Sequence, residues 1–270
     1  RELGGAFNVA KNIVNLGAKC YFLTMLAKDS YVDYFNIEHP NFELLPVYGK
    51  SKNTIKKRYW INRGGHSYKH LQINIADDGE IPIEYHEMAS YRFQSVLSQV
   101  DVVLLCDYRG GTINDTLLRV VKDRIKDRNI LCIANSQMSD REQNYQLYEG
   151  LDIVSMNRDE IDSLCVDMKS NLENTIRNLN SDVVVTEGRG GSSLYLTNEN
   201  NIQKFSSPSI KVQEIDSCGA GDCFLSAFSI SDPLQNPIES LYLANVWAGL
   251  SVQYLGTKSP SLEELIKYVN

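Results

Sequence analysis

From residue 100 onward the chain alternates short apolar runs with longer stretches of helical periodicity, and this alternation restricts the fold more than any other feature. The runs cover residues 101–106, 129–134, 152–155 and 182–186, with helical stretches at 113–128 and 172–179 between them. Runs that are apolar on every residue are buried on both faces, as parallel strands joined by crossover helices are. A mostly parallel α/β sheet covered by helices on both sides is expected. After residue 186 the pattern shifts to runs at 192–196 and 202–205 around a polar turn at 198–201, predicting antiparallel strands at one edge. Helices are expected at 219–231, 237–254 and 261–269, closing the chain.

Residues 53–75 stand apart. Here 54–61 and 67–75 alternate apolar and polar side chains around Asn62, Arg63, Gly64 and Gly65, predicting a hairpin that projects from the body as a small sheet. Along it Ile55, Lys57, Tyr59 and Ile61 share one face, and Thr54, Lys56, Arg58 and Trp60 the other.

The 270 residues, 43% apolar and 23% charged, suffice for one large domain spanning 1–270, with 53–75 as an appendage. No apolar run approaches the roughly 20 residues of a membrane-spanning helix, so no membrane role is expected. A net charge of −7 argues against nucleic acid as a partner. The six cysteines are scattered without zinc-site spacing and read as reduced thiols of a cytoplasmic protein. The chain starts at Arg1 and enters a helical pattern at once, so its beginning is expected to be incomplete.

Four stretches carry chemistry. The sharpest is Asp216, Ser217, Cys218, Gly219, Ala220, Gly221 and Asp222 ahead of an amphipathic run. Glycines at a helix start leave bare N–H groups at the positive end of the dipole, which is an anion site, and Asp222 in the first turn can accept a proton from a hydroxyl beside that anion. The plainer reading is a glycine turn with an acid at a helix N-terminus. Asn157 and Glu160 lie three apart after the run at 152–155, at the carboxyl end of a strand, and supply oxygen ligands suited to Mg²⁺. They equally fit a capping box. Thr186, Gly188 and Gly191 form a glycine turn after the run at 182–186, either a backbone approach to a nucleotide or a plain hairpin turn. At the front, Gly4, Gly5 and Asn8 open a helix, where Asn8 is either a sugar contact or a solvated side chain.

The order and spacing of these elements resemble the ribokinase-like (PfkB) carbohydrate kinases. The match comprises Gly4–Gly5–Ala6 with Asn8–Val9–Ala10, the projecting hairpin, a strand ending Asp107–Tyr108 with Gly110–Gly111, the Asn157/Glu160 pair, the Thr186 turn, the Asp216-to-Asp222 element, and Ala244–Asn245 through Gly256–Thr257. Within that family the chain is similar to the heptose-phosphate kinase domain of bifunctional lipopolysaccharide-precursor enzymes. The resemblance implies a three-layer α/β/α fold and transfer of the γ-phosphoryl of ATP to a hydroxyl of a sugar or a sugar phosphate, such as a heptose 7-phosphate. It implies Asp222 as general base, with Gly219, Ala220 and Gly221 as anion hole. It further implies Asn157 and Glu160 for Mg²⁺, Thr186, Gly188, Gly191 and Asn245 for ATP, and Gly5 and Asn8 for the sugar. The hairpin at 53–75 corresponds to the family's lid and implies a homodimer.

Two features depart from the family pattern. No strand with a sugar-binding Asp precedes Gly4, and Ala134–Asn135–Ser136–Gln137 stands where the heptose-phosphate kinases carry an Asp-Pro-Lys type sequence. Two alternatives accompany the kinase reading: a catalytically weak nucleotide- or sugar-binding relative acting as sensor or scaffold, and a nucleoside or vitamin kinase on the same fold. The basic run Lys56–Lys57–Arg58 either meets the phosphate of a phosphorylated sugar or protects a sheet edge.

Overall fold

The computed structural model describes residues 2–29, 31–63, 66–77, 79–126, 130–137, 143–199 and 201–269. The chain opens with α1 (Ala6–Asn15), β1 (Cys20–Met25) and β2 (Phe42–Val47), then the hairpin β3 (Ile55–Arg63) and β4 (His66–Ile75). There follow α2 (Ile83–Val96), β5 (Val102–Asp107), α3 (Asp115–Ile125), β6 (Leu131–Ser136), β7 (Ile153–Asn157), α4 (Arg158–Asp167), α5 (Leu172–Leu179) and β8 (Asp182–Thr186). The chain ends through β9 (Ser192–Thr197), β10 (Ile202–Ser207), α6 (Ala220–Ser229), α7 (Pro237–Ser251) and α8 (Leu262–Val269). The expected start at 129, the helix end at 127–128 and the turn glycines 64–65 lie outside the described residues. The periodicity did not announce β1, β2 or α2. In β1 and β2 apolar and polar residues mix without a clean period, because each strand is only half covered.

The main sheet runs β10-β9-β8-β7-β6-β5, parallel from β5 to β8 and antiparallel at β9 and β10, as the change of pattern after residue 186 predicts. Its all-apolar strands serve two cores. Cys132, Ala134, Val154, Met156, Val183 and Val185 pack against α2 to α5, whereas Ile133, Ile153, Val184 and Leu194 pack against α1, α6 and α7. This is a three-layer α/β/α arrangement, and it places the carboxyl ends of β5 to β8 along one edge, where such sheets bind ligands.

β1 and β2 form a separate parallel pair. The N–H groups of Cys20 and Leu26 donate toward the β2 side, to Asn41 O at 2.7 Å and Val47 O at 2.9 Å. The alternate peptide groups of Tyr21, Leu23 and Met25 therefore face the other way, and Thr112 Oγ1 caps the Met25 N–H at 3.2 Å. On β5, Asp101 O and Asp107 O accept from Leu131 and Gln137 on the β6 side, which turns Val102, Leu104 and Cys106 toward β1. Both strands line a shared cavity of about 1320 Å³.

The β3–β4 hairpin stands clear of the sheets. Its base is fixed by buried Asn53, whose side chain accepts from Ala27 N at 3.0 Å and donates to Ala27 O and Asp29 Oδ1. Opposite, Asp77 accepts from the Ser51 hydroxyl and backbone, and these bonds hold its carboxyl down at about 2. The register slips between Tyr59 and Trp60, so Tyr59 pairs with Leu71 and Trp60 with Lys69.

Candidate active site

Gly219 caps α6 in the left-handed region (φ +85°), and a Cβ there would stand 2.7 Å from the Asn8 amide. Glycine is thus required by both conformation and space. Gly221, one turn position on, faces open space. The N–H groups opening α6 stand at the positive end of the dipole, but that of Ala220, expected in the anion hole, donates to Ser217 O at 3.1 Å, and that of Cys223 to Gly219 O at 3.0 Å.

Asp222 is half-buried at the mouth of the large cavity, together with Gly5, Gly219 and Gly221. Both its oxygens are held. Asn8 Nδ2 donates to Oδ2 at 2.8 Å, and the Tyr108 hydroxyl donates to Oδ1. Burial pushes the carboxyl above the ordinary aspartate range, while donation from Tyr108 and Asn8 and the charge of Lys56 pull it back. The result is a carboxylate poised to take a proton. Asn8 itself is fully buried, so the structure places it beneath the base rather than on the cavity wall. Its neighbour Asn12, unmarked in the sequence, accepts from Trp247 Nε1 at 2.8 Å and the Ser259 hydroxyl at 2.7 Å and donates to Asn8 O at 2.8 Å, locking α1 to α7.

The cations of the hairpin's polar face line the same cavity. Lys56, Arg58 and Lys50 all border it, with Arg58 Nε fixed by Gln72 at 3.0 Å. Lys50, which the sequence did not single out, is largely desolvated, and burial holds its ammonium below the ordinary lysine range.

The metal candidates sit as the plainer reading has them. Asn157 caps α4 by accepting from Glu160 N at 2.9 Å, and Glu160 Oε2 accepts from Asn157 N at 2.8 Å, completing a capping box. Glu160 is buried and also touches the Tyr145 hydroxyl at 2.9 Å. Among the described residues no three His, Cys, Asp or Glu side chains gather as a metal set.

Thr186 ends β8 beside Asn157, its register partner on β7. The turn after it brings Gly188 (φ +55°) and Gly191 (φ +94°) round through a Glu187 N to Gly191 O bond of 2.8 Å. A small concavity of about 260 Å³ is lined by Asn157, Arg158, Asp159, Thr186, Glu187 and Gly188, so two stretches thirty residues apart meet at one place. Asn245 lies under this turn, its amide donating to Ser207 O at 3.0 Å and its carbonyl accepting from Ser192. In this arrangement it supports the turn and is buried away from the concavity.

Chemically, a held carboxylate at a helix N-terminus in one cavity and a glycine turn at another suit transfer of a phosphoryl group between two bound molecules. Comparison with known proteins agrees. The chain is 26% identical over 279 residues to the bifunctional protein HldE of Caulobacter sp. (strain K31), and 26% identical over 276 residues to that of Campylobacter jejuni (strain RM1221). Each match covers 98% of this chain, which spans about half the length of these relatives, 54% and 56%. In fold, the chain is similar to Thermotoga maritima ribokinase (TM-score 0.70, 22% identity, 99% of this chain and 87% of that one). It is similar also to Xylella fastidiosa fructokinase with bound ATP (TM-score 0.72, 18% identity, 98% and 90%). The description of the pfkB family carbohydrate kinases fits residues 1–265, and the chain belongs to that family.

Proposed function

We propose that this carbohydrate kinase moves the γ-phosphoryl of ATP to a hydroxyl of a phosphorylated sugar of the heptose 7-phosphate type, with Asp222 as general base. The observation that carries the reading is the double hold on Asp222 at the N-terminus of α6. A protein that only binds has no use for a carboxylate fixed beside an anion hole. The acceptor's own phosphate is assigned to Lys50, Lys56 and Arg58, which border the same cavity. ATP is assigned to the Thr186, Gly188 and Gly191 turn, supported by Asn245, and the sugar to the wall near Gly5. The N–H groups of Gly219 and Gly221 are assigned the charge on the transferring phosphoryl. The test is ADP release by the full-length protein with ATP, Mg²⁺ and a panel of free and phosphorylated sugars and nucleosides. A heptose 7-phosphate is expected to give the highest kcat/KM; a free sugar or nucleoside doing so would overturn the assignment.

Mg²⁺ is assigned to Asn157, whose exposed amide lines the small concavity, with the buried Glu160 carboxylate behind it contributing its charge. Bound there, it would neutralise phosphate charge. Glu160→Gln keeps an acceptor for Asn157 N but removes the charge. It is expected to raise the Mg²⁺ concentration for half-maximal rate while costing at most about 1 kcal/mol of stability, the scale of one cap interaction. Unchanged Mg²⁺ dependence with reduced stability would return the pair to capping alone.

The hairpin is assigned as lid and as dimer contact. Near its base Ile55, Lys56, Lys57 and Arg58 border the cavity from both faces, while farther along Tyr59 (50% exposed), Leu71 (49%) and Ile73 (42%) form an exposed apolar stretch on the face they share with Ile55 and Ile75. A two-stranded ribbon with such a face is marginal in water unless covered, and a second copy covers it symmetrically. Trp60 is half-buried on the opposite face, so Tyr59 is the better probe. Tyr59→Glu is expected to weaken self-association in sedimentation; a monomeric parent protein with normal activity would exclude this role.

A further inference from the structure

The proposed base is held by a tyrosine that phosphoryl transfer itself does not require. Tyr108 follows the last residue of β5, and its place is set by several independent features. Asp107, buried at the strand end, accepts from Arg109 N at 2.8 Å through Oδ1 and from Asn144 Nδ2 and the Tyr148 hydroxyl, both at 2.8 Å, through Oδ2. Arg109 takes a left-handed backbone (φ +59°) unusual for a residue with a Cβ, and conformations of this kind persist where the surroundings fix them. The Tyr108 ring lies against Gly5, where a Cβ would come within 3.4 Å of ring carbons. All of this converges on aiming one phenol at Asp222.

From this geometry we infer that Tyr108 is a positioning residue for Asp222, its hydroxyl holding Oδ1 so that the carboxylate's remaining lone pairs meet the acceptor hydroxyl. The inference rests on the reading of Asp222 as base. Burial and the Asp222 charge push the phenol well above its ordinary value, so it remains a donor throughout the working range of pH. The other groups facing Asp222 are Asn8 from α1, Lys56 from β3, Cys106 from β5 and Cys223 from α6. Burial pushes both thiols upward, Cys223 to about 12, so neither titrates near neutrality. The acid limb of the rate profile therefore reports Asp222.

The test is kcat/KM against pH for the full-length protein with ATP and a heptose 7-phosphate. Tyr108→Phe removes a hydrogen bond to the charged form, so the acid limb is expected to move up by roughly one pH unit. Turnover should fall about ten-fold or more, the scale of one hydrogen bond to a charged group. The KM for ATP should not change. Incorporating 3-fluorotyrosine at 108 keeps the ring and strengthens the donor, and should move the limb down while the protein folds normally. A purely structural tyrosine would leave the limb in place in both variants. If Asp222→Asn is inactive and both Tyr108 variants keep the parent limb, the Tyr108 inference fails alone; if Asp222→Asn is fully active, the base reading fails first.

Discussion

Replacing Asp222 by Asn is expected to lower turnover by roughly 10²-fold or more, the scale of general-base catalysis, with ATP affinity near normal. Asparagine preserves volume and leaves an acceptor for the Tyr108 hydroxyl, but its amide nitrogen then faces the Asn8 Nδ2 donor, so one hydrogen bond is lost together with the charge and basicity. The turn between β8 and β9, to which ATP is assigned, is fixed by its own bonds. Folding should not suffer. The folded carboxyl sits above its ordinary value, so the folded state binds the proton more tightly than the unfolded chain. Ionised Asp222 then costs stability as pH rises through that interval, so Asp222→Asn recovers that cost at neutral pH, which offsets the lost Asn8 bond. Single-turnover phosphoryl transfer, calorimetric ATP titration and thermal melting check the three parts. Undiminished turnover would remove Asp222 from the reaction.

Gly191→Ala is expected to cost roughly 2–5 kcal/mol of stability and to weaken ATP binding sharply, from strained backbone and a steric clash together. An added Cβ would stand 2.2 Å from Ser207 O and 2.7 Å from Ser209 N, backbone atoms that cannot rotate aside. Moving them disturbs Asn245, which bonds Ser207 O, and the Glu187 N to Gly191 O bond that shapes the turn. Gly188 also has positive φ, but a Cβ there meets nothing within 4 Å. Gly188→Ala should therefore cost only about 1 kcal/mol, the conformational penalty alone. Urea unfolding of the two variants side by side decides the matter, and equal losses would refute the packing argument.

The sequence by itself determined the main sheet. Runs such as Val183, Val184 and Val185 are apolar on both faces because helices cover both faces, and that burial is a local property of composition. It likewise determined the β3–β4 hairpin and the glycine turns, since glycine placement reflects local backbone geometry. It did not show β1 and β2, whose mixed patterns reflect half-covered strands. It marked Tyr108 only as part of the strand-end motif and did not single out Tyr145, Asn12 or Lys50. Tyr108 and Asn12 act across long separations, reaching Asp222 over 114 residues and Trp247 over 235. Asn8 was legible as a polar residue near a helix start and Asn245 only through the family resemblance, but only the tertiary structure decided that one lies under Asp222 and the other under the 187–191 turn. A buried amide must find its partners wherever the fold brings them, and no periodicity along the chain encodes which they are.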